Sequence, residues 1–332
     1  MLTRKLGRSG IEVSAVGMGC WAIGGPWWSP EGNPCGWGKV DDAESIRAIH
    51  AALDMGINFF DTAANYGAGH SERILGQAIA SRRDQVIIAT KFGHFINEET
   101  KIVDFDLDTE QIDAIPGKLR QDCEDSLRRL NTTYIDFYQF HDGDYDPEKA
   151  VAVREVLEDL VAEGKIRSYG WSTDDAERAR VFAQGEHCAA IQFGLSMLRG
   201  NPAMRALCEE FAMAGVIKKP LSSGILTGKF TVDSTFPEDD FRSVLSLQED
   251  RYATLFQRVE QLREALTTNG RTLAQAAIAW IWALDERMIP IPGFKTVQQV
   301  TENTGALQFG PLSAKEMRQV DELLGDMRIM PE

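Results

Sequence analysis

The chain has 332 residues, 43% of them hydrophobic and 26% charged, with a formal net charge of -15. That balance fits a globular fold, and so acidic a surface argues against nucleic acid or an anionic membrane as partner. The five cysteines are scattered with no Cys-x-x-Cys, which fits reduced thiols in a cytoplasmic protein better than a disulfide framework.

No apolar segment follows Met1-Leu2-Thr3-Arg4, so no secretory signal is expected. The most apolar helix, Leu273 to Leu284, is too short to span a bilayer. In chain order, residues 1–13 read as a hairpin turning at Gly7-Arg8-Ser9-Gly10, and Ser14 to Gly19 as a short strand. Gly17-Met18-Gly19-Cys20-Trp21-Ala22 matches a dinucleotide fingerprint. That fingerprint requires a helix to begin within its glycines, and Gly24, Gly25 and Pro26 forbid one. A long Trp/Gly/Pro-rich loop to about Lys39 is expected instead.

Helical spacing then predicts a helix from Asp41 or Asp42 to Met55, and an apolar strand runs into Asp61. A helix over Ser71 to Ala80 and a strand over Val86 to Thr90 follow. Residues 94–115 read as a polar loop, with the next helix opening at Pro116, a residue suited to a first turn. Further strand and helix pairs are expected at 135–140 and 147–163, 168–171 and 174–183, 190–193 and 202–214, and 216–218 and 247–268. The last pair is 288–291 and 296–306, with additional helices at 272–284 and 313–325. Eight strands alternating with helices predict an α/β fold, a closed (β/α)8 barrel in a single domain over 1–332. The open doubly wound sheet is the runner-up.

Three of these strands end in Asp61, Lys91 and His141, and Tyr66 stands on the loop beyond the first. In a parallel barrel the strand ends share one face, so the four side chains are expected together there. A turn with a capping aspartate and a packed tyrosine would explain the first pair alone. Asp142-Gly143-Asp144-Tyr145-Asp146 imitates the start of a calcium loop but has Pro147 where a glycine is needed, and Asp146 reads as a helix cap. His50, His70, His94 and His187 form no pair at metal-ligand spacing, so no metal is expected. Trp21, Trp27, Trp28, Trp37, Phe92 and Phe95 lie on loops near the expected site. Of these Trp21, Trp28 and Phe92 are the candidates for a substrate wall that would suit an apolar or ring-bearing compound.

With Phe60-Asp61-Thr62-Ala63-x-x-Tyr66-Gly67, Thr90-Lys91, Gln139-Phe140-His141, Gly170-Trp171-Ser172, Gly224-Ile225-Leu226-Thr227-Gly228-Lys229 and Ile291-Pro292-Gly293 in order, the chain resembles the aldo-keto reductases, in their bacterial form. The resemblance implies a barrel that binds NADPH and reduces aldehydes or ketones. It implies Tyr66 as general acid, Lys91 lowering the tyrosine pKa, Asp61 pairing with Lys91, and His141 orienting the carbonyl. It carries the cofactor onto Ser172, Thr173, Gln192, Lys218, Lys219, Leu221, Ser223, Gly224, Lys229, Gly293, Lys295, Gln299 and Asn303. Thr173 stands where the family has asparagine, and no aromatic follows the seventh strand at Lys218-Lys219. Lys295, at a helix start, is the expected partner of a 2′-phosphate. A nucleotide-binding regulatory or sensor subunit is the alternative that the same resemblance allows.

Overall fold

The computed structural model describes residues 1–325. The final seven residues of the expected domain lie outside them. A hairpin, β1 (Thr3–Lys5) and β2 (Glu12–Ser14), opens the chain. Its left-handed Gly7 sits so close to the sheet that a Cβ there would meet the Ala189 carbonyl oxygen at 2.0 Å. Arg8 donates to the carbonyls of Ala183, Gly185 and Cys188, which fastens the hairpin across the bottom of the barrel.

The remaining elements alternate. They are β3 (Met18–Gly19), α1 (Asp42–Asp54), β4 (Phe59–Asp61), α2 (His70–Ile79), β5 (Ile87–Phe92), β6 (Phe95–Asn97), β7 (Ile102–Asp104) and α3 (Thr109–Leu130). There follow β8 (Phe137–Phe140), α4 (Pro147–Ala162), β9 (Tyr169–Ser172), α5 (Ala176–Ala183), β10 (Cys188–Gly194), α6 (Pro202–Glu210) and β11 (Ala214–Lys218). The chain continues with α7 (Asp250–Leu266), α8 (Leu273–Leu284), β12 (Met288–Pro290), α9 (Val297–Gly305) and α10 (Ala314–Leu324).

Eight strands form one parallel sheet in the order β12-β11-β10-β9-β8-β5-β4-β3. The two ends meet: Gly17 N–H donates to Pro290 O at 2.9 Å and Gly19 N–H to Pro292 O at 3.0 Å. The fold is thus a closed (β/α)8 barrel. Its interior is filled by aromatic, small and branched side chains, among them Phe59, Ala89, Phe137, Ala190, Val216 and Ile289, with Leu6 and Val13 of the hairpin beneath. A larger core lies between the strands and the surrounding helices.

Two expectations fail in one region. Residues 94–115 are not all loop: β6 and β7 pair antiparallel there. The helix α3 begins at Thr109, capped by Asp108 in a reciprocal arrangement with Gln111, so Pro116 is interior and not in the first turn. Proline lacks the N–H that would bond the carbonyl four residues back. That carbonyl, Ile112 O, accepts from Tyr145 Oη at 3.1 Å instead. A partner distant in sequence makes the interior proline tolerable, which no local signal announced.

Candidate active site

Parallel pairing sets Asp61 opposite Ala89 and Lys91 opposite Gln139, so these strand ends lie at one level. Lys91 is fully buried. Its ammonium donates to Asp61 Oδ1 at 2.5 Å, to Thr62 O at 2.7 Å and to Tyr66 Oη at 3.2 Å, so all three donors are used. The other oxygen of Asp61 accepts from Gln139 Nε2 at 2.9 Å and Gln192 Nε2 at 2.8 Å. Gln192 Nε2 also donates to Gln139 Oε1 at 3.0 Å. A carboxylate can only accept, so both amides must turn their NH2 groups to Asp61. With both its N–H bonds spent, Gln192 can offer only Oε1 to anything in the cavity.

Tyr66 is held by a close backbone approach. A Cβ on left-handed Gly67 would meet Gly24 O at 1.9 Å, so the turn after β4 presses directly on the segment after β3. The Tyr66 ring stacks on Trp21, centroids 6.0 Å apart, and meets His141 edge-on at 5.9 Å. Burial pushes the phenol pKa above its ordinary value. Lys91 acts downward, as expected from the sequence, but burial and Asp61 outweigh it. Burial pulls Lys91 down in turn, yet Asp61 and Tyr66 hold its ammonium above the usual lysine value. His141 is held well below its ordinary value by burial and by the nearby His94, Lys91 and Lys218, so its ring is neutral at pH 7.

These groups open on a cavity of about 780 Å3, within the range of ligand sites. Asp61, Tyr66 and His141 line it, as do Gln192, Lys218, Lys219, Leu221, Ser223 and Gly224. Lys229, Gly293, Lys295, Gln299 and Asn303 line its far end. Ser172 and Thr173 do not line it: Ser172 is buried in the sheet, and Thr173 Oγ1 donates to Gly143 O at 2.7 Å, tying two loops. Trp21 is in the wall. Trp28 and Phe92 are not. Side chains alternate along extended chain; Lys91 turns to the site while Phe92 packs on Tyr138 and Phe140 at 4.7 and 5.3 Å. Trp27 faces the cavity, and its neighbour Trp28 bridges to Pro34 and Ile102.

Sequence reasoning missed Phe105, Phe230, Phe241 and Arg242, all of them cavity residues from segments without motifs. Phe241 N–H donates to Gly36 O at 2.7 Å, and Trp37 pairs with Asp240, so two distant loops join over the cavity. Arg242 is bound to Asp240 by both a 2.9 Å and a 2.7 Å contact and lies 4.4 Å over the Trp37 ring. Lys295 Nζ donates to the carbonyls of Trp37 and Lys39, adding a third tie to the same strap.

The lining fits a dinucleotide. In a chain of charge -15, five cations line this cavity (Lys218, Lys219, Lys229, Arg242 and Lys295) against two acids, Asp61 and Glu302. The segment beside it holds Lys219, Ser222, Ser223 and Gly224 at positive φ. Such strained backbone is typical of ligand clamps.

The sequence model of the aldo/keto reductase family matches residues 15–325. The chain belongs to that family. Aldo-keto reductase yakc [NADP(+)] of Schizosaccharomyces pombe is 31% identical over 332 residues, covering 96% of this chain and 90% of that protein. The NADH-specific methylglyoxal reductase of Escherichia coli is 31% identical over 333 residues, with 96% and 98% covered. Among solved structures, the glycerol dehydrogenase AKR11B4 of Gluconobacter oxydans superposes with a TM-score of 0.83 at 30% identity, covering 99% of this chain and 97% of the other. This aldo-keto reductase is therefore an NAD(P)H-dependent oxidoreductase. Its relatives differ in which nicotinamide cofactor they are named for. No helix among the described residues is long and apolar enough to cross a membrane.

Proposed function

We propose that this single-domain, cytoplasmic enzyme reduces aldehydes or ketones to alcohols, with NADPH as the preferred cofactor and Tyr66 as general acid. The observation that carries the reading is the buried Lys91 ammonium bridging Asp61 and the Tyr66 hydroxyl at the cavity floor. The bound cofactor would supply the hydride that adds to the carbonyl carbon. As the C=O π pair moves to oxygen, Tyr66 gives its proton to that oxygen and becomes phenolate. Lys91 stabilises the phenolate by charge and hydrogen bond, and Asp61 keeps Lys91 protonated in a site that would otherwise discharge it. The raised Tyr66 pKa keeps the proton in place until the reaction draws it. A neutral His141 donates one ring N–H to the carbonyl oxygen, orienting and polarising it. Solvent then returns a proton to Tyr66.

Gln192 Oε1 suits the carboxamide N–H2 of a nicotinamide. The cations Lys219, Lys229, Arg242 and Lys295 suit its phosphates, and two carbonyls occupy only two of the three Lys295 donors. The third is available to a 2′-phosphate. The test is NADPH absorbance with a panel of small aldehydes and ketones, run beside NADH. Turnover of several carbonyls supports the reading. Cofactor binding with no turnover of any of them would favour the regulatory or sensor subunit.

A further inference from the structure

Four of the cations that line the cavity suit phosphates, and Lys218 stands apart from them. Parallel pairing of β10 with β11 sets Ala190 opposite Ala214, Gln192 opposite Val216 and Gly194 opposite Lys218. Ala190, Ala214 and Val216 fill the barrel interior. Side chains alternate along a strand, so Lys218 shares their face and stands one layer above Gln192. It closes β11 where the barrel opens into the cavity.

Two observations bring this ammonium to the reacting centre. Gln192 Oε1 is the acceptor suited to the nicotinamide carboxamide, and Lys218 is its neighbour across the sheet. Lys218 also acts on His141: behind burial, His94 and Lys91, it adds to the pull that keeps that ring neutral. In the proposed reaction the carbonyl oxygen sits beside Tyr66 and His141, so the ring that supplies the hydride must touch the carbonyl carbon there. A charge that acts on His141 therefore acts on that ring as well. Lys218 Nζ lies 3.5 Å from Asp174 Oδ2, with its side chain 28% exposed. Asp174 does not serve it alone, since it also accepts from Arg199 at 3.3 Å and from Gly194 N–H at 2.6 Å. In so sheltered a place a charge acts over several ångströms more strongly than in water.

The two oxidation states of a nicotinamide cofactor differ in charge only at this ring, which is neutral when reduced and positive when oxidised. We propose that Lys218 selects the oxidation state of the cofactor, its ammonium repelling the oxidised ring and sparing the reduced one. This rests on the reductase reading above. Lys218 thereby favours the reduced cofactor at binding and hastens release of the oxidised one once the alcohol has formed. That sets the enzyme for carbonyl reduction rather than alcohol oxidation. An aromatic side chain at the end of the seventh strand would act in the opposite sense, because a ring face attracts a cation. Lys218 is thus a specificity-determining residue, while proton transfer stays with Tyr66, Lys91 and His141.

The test titrates NADPH and NADP+ by fluorescence in wild type and in Lys218→Met, and reads the ratio of the two dissociation constants. The phosphates are common to both forms, so every phosphate contact cancels in that ratio, as does a general loosening of the pocket. The ratio, oxidised over reduced, should fall about tenfold in Lys218→Met. It should stay within about twofold of wild type in Lys218→Arg, which keeps the charge. The same pattern is expected with NADH and NAD+. If Lys218→Met does not fold, Lys218→Gln makes the same comparison and must show the same fall. A ratio unchanged in the folded variants, a ratio that falls equally in Lys218→Arg, or loss of both forms together overturns the role of Lys218 and leaves the reductase reading standing. A wild type that binds neither cofactor pair overturns both.

Discussion

Gln139 donates its amide to Asp61 from 2.9 Å, inside the barrel, where neither side chain is more than 2% exposed. The bond does two things at once. It satisfies half of the carboxylate that faces away from Lys91, and it leaves Gln139 Oε1 to accept from Gln192. Gln139→Leu should therefore cost about 1–3 kcal/mol, the price of an unsatisfied buried group, and free the Gln192 amide to rotate. Chemical denaturation checks the first effect. The second shows as weaker NADPH binding in a fluorescence titration. A variant as stable as wild type, with unaltered cofactor affinity, removes Gln139 from this role.

Tyr66→Phe should leave NADPH binding close to wild type and lower turnover by orders of magnitude. Tyr66 is the hydroxyl acid at the floor of the site, and its ring contact with Trp21 survives the change. Absorbance gives the rate and fluorescence the affinity. Near wild-type turnover would assign the proton to another group.

Lys91→Met should abolish activity and also destabilise the fold, since it strands the buried Asp61 carboxylate. Breaking a buried pair by removing one partner costs about 3–5 kcal/mol. Adding Asp61→Asn should return part of that stability without activity. Full activity in Lys91→Met would contradict the ion pair's catalytic purpose.

The pKa of His94 is lowered by burial to about 4. A folded state that prefers the neutral ring binds fewer protons than the unfolded chain between that value and the ordinary histidine value near 6.5. Its stability contribution is thus complete above about pH 6.5, and declines as pH falls toward about 4. His141, lowered in the same direction, adds to the slope. Unfolding measured from pH 7.5 to 4.5 should show falling stability, and His94→Gln should flatten the curve by up to about 3 kcal/mol at the acid end. An unchanged slope in that variant would mean that the folded ring takes up its proton freely.

Lys295→Ala separates two uses of one ammonium. If it holds the 2′-phosphate, NADPH binding weakens roughly ten- to a hundred-fold while NADH binding stays near wild type. That is the expected result. Equal losses for both cofactors would show that Lys295 serves only to tie residues 37 and 39 over the cavity.

The interior proline of α3 gives a test of the fold. Tyr145→Phe removes the hydroxyl donor to the Ile112 carbonyl and should cost about 1 kcal/mol. In a Pro116→Ala background the helix supplies its own N–H to that carbonyl, so the same change should cost clearly less. A double-mutant cycle in thermal unfolding measures the difference. Additive effects would show that Tyr145 and Pro116 are not coupled through Ile112.

Much of this protein was legible in its residues because the deciding signals are local. Strand and helix periodicity, and the glycines that stop helices and turn the chain, follow from short-range sterics. A parallel barrel then dictates that Asp61, Lys91 and His141 come to one face. What the residues did not announce depended on partners far away in the chain. Pro116 could sit inside a helix because Tyr145 covers the bare carbonyl. Trp27 rather than Trp28 faces the cavity because the segment bridges to Pro34 and Ile102, which sets its face. Thr173 is withdrawn from the cavity by the Gly143 carbonyl. The strap of Gly36, Trp37, Asp240 and Phe241, and the turning of Lys295 toward it, rest on hydrogen bonds between loops some two hundred residues apart. A loop has no periodicity that reports which way its side chains point, and its partners are fixed only when the barrel brings the strand ends together.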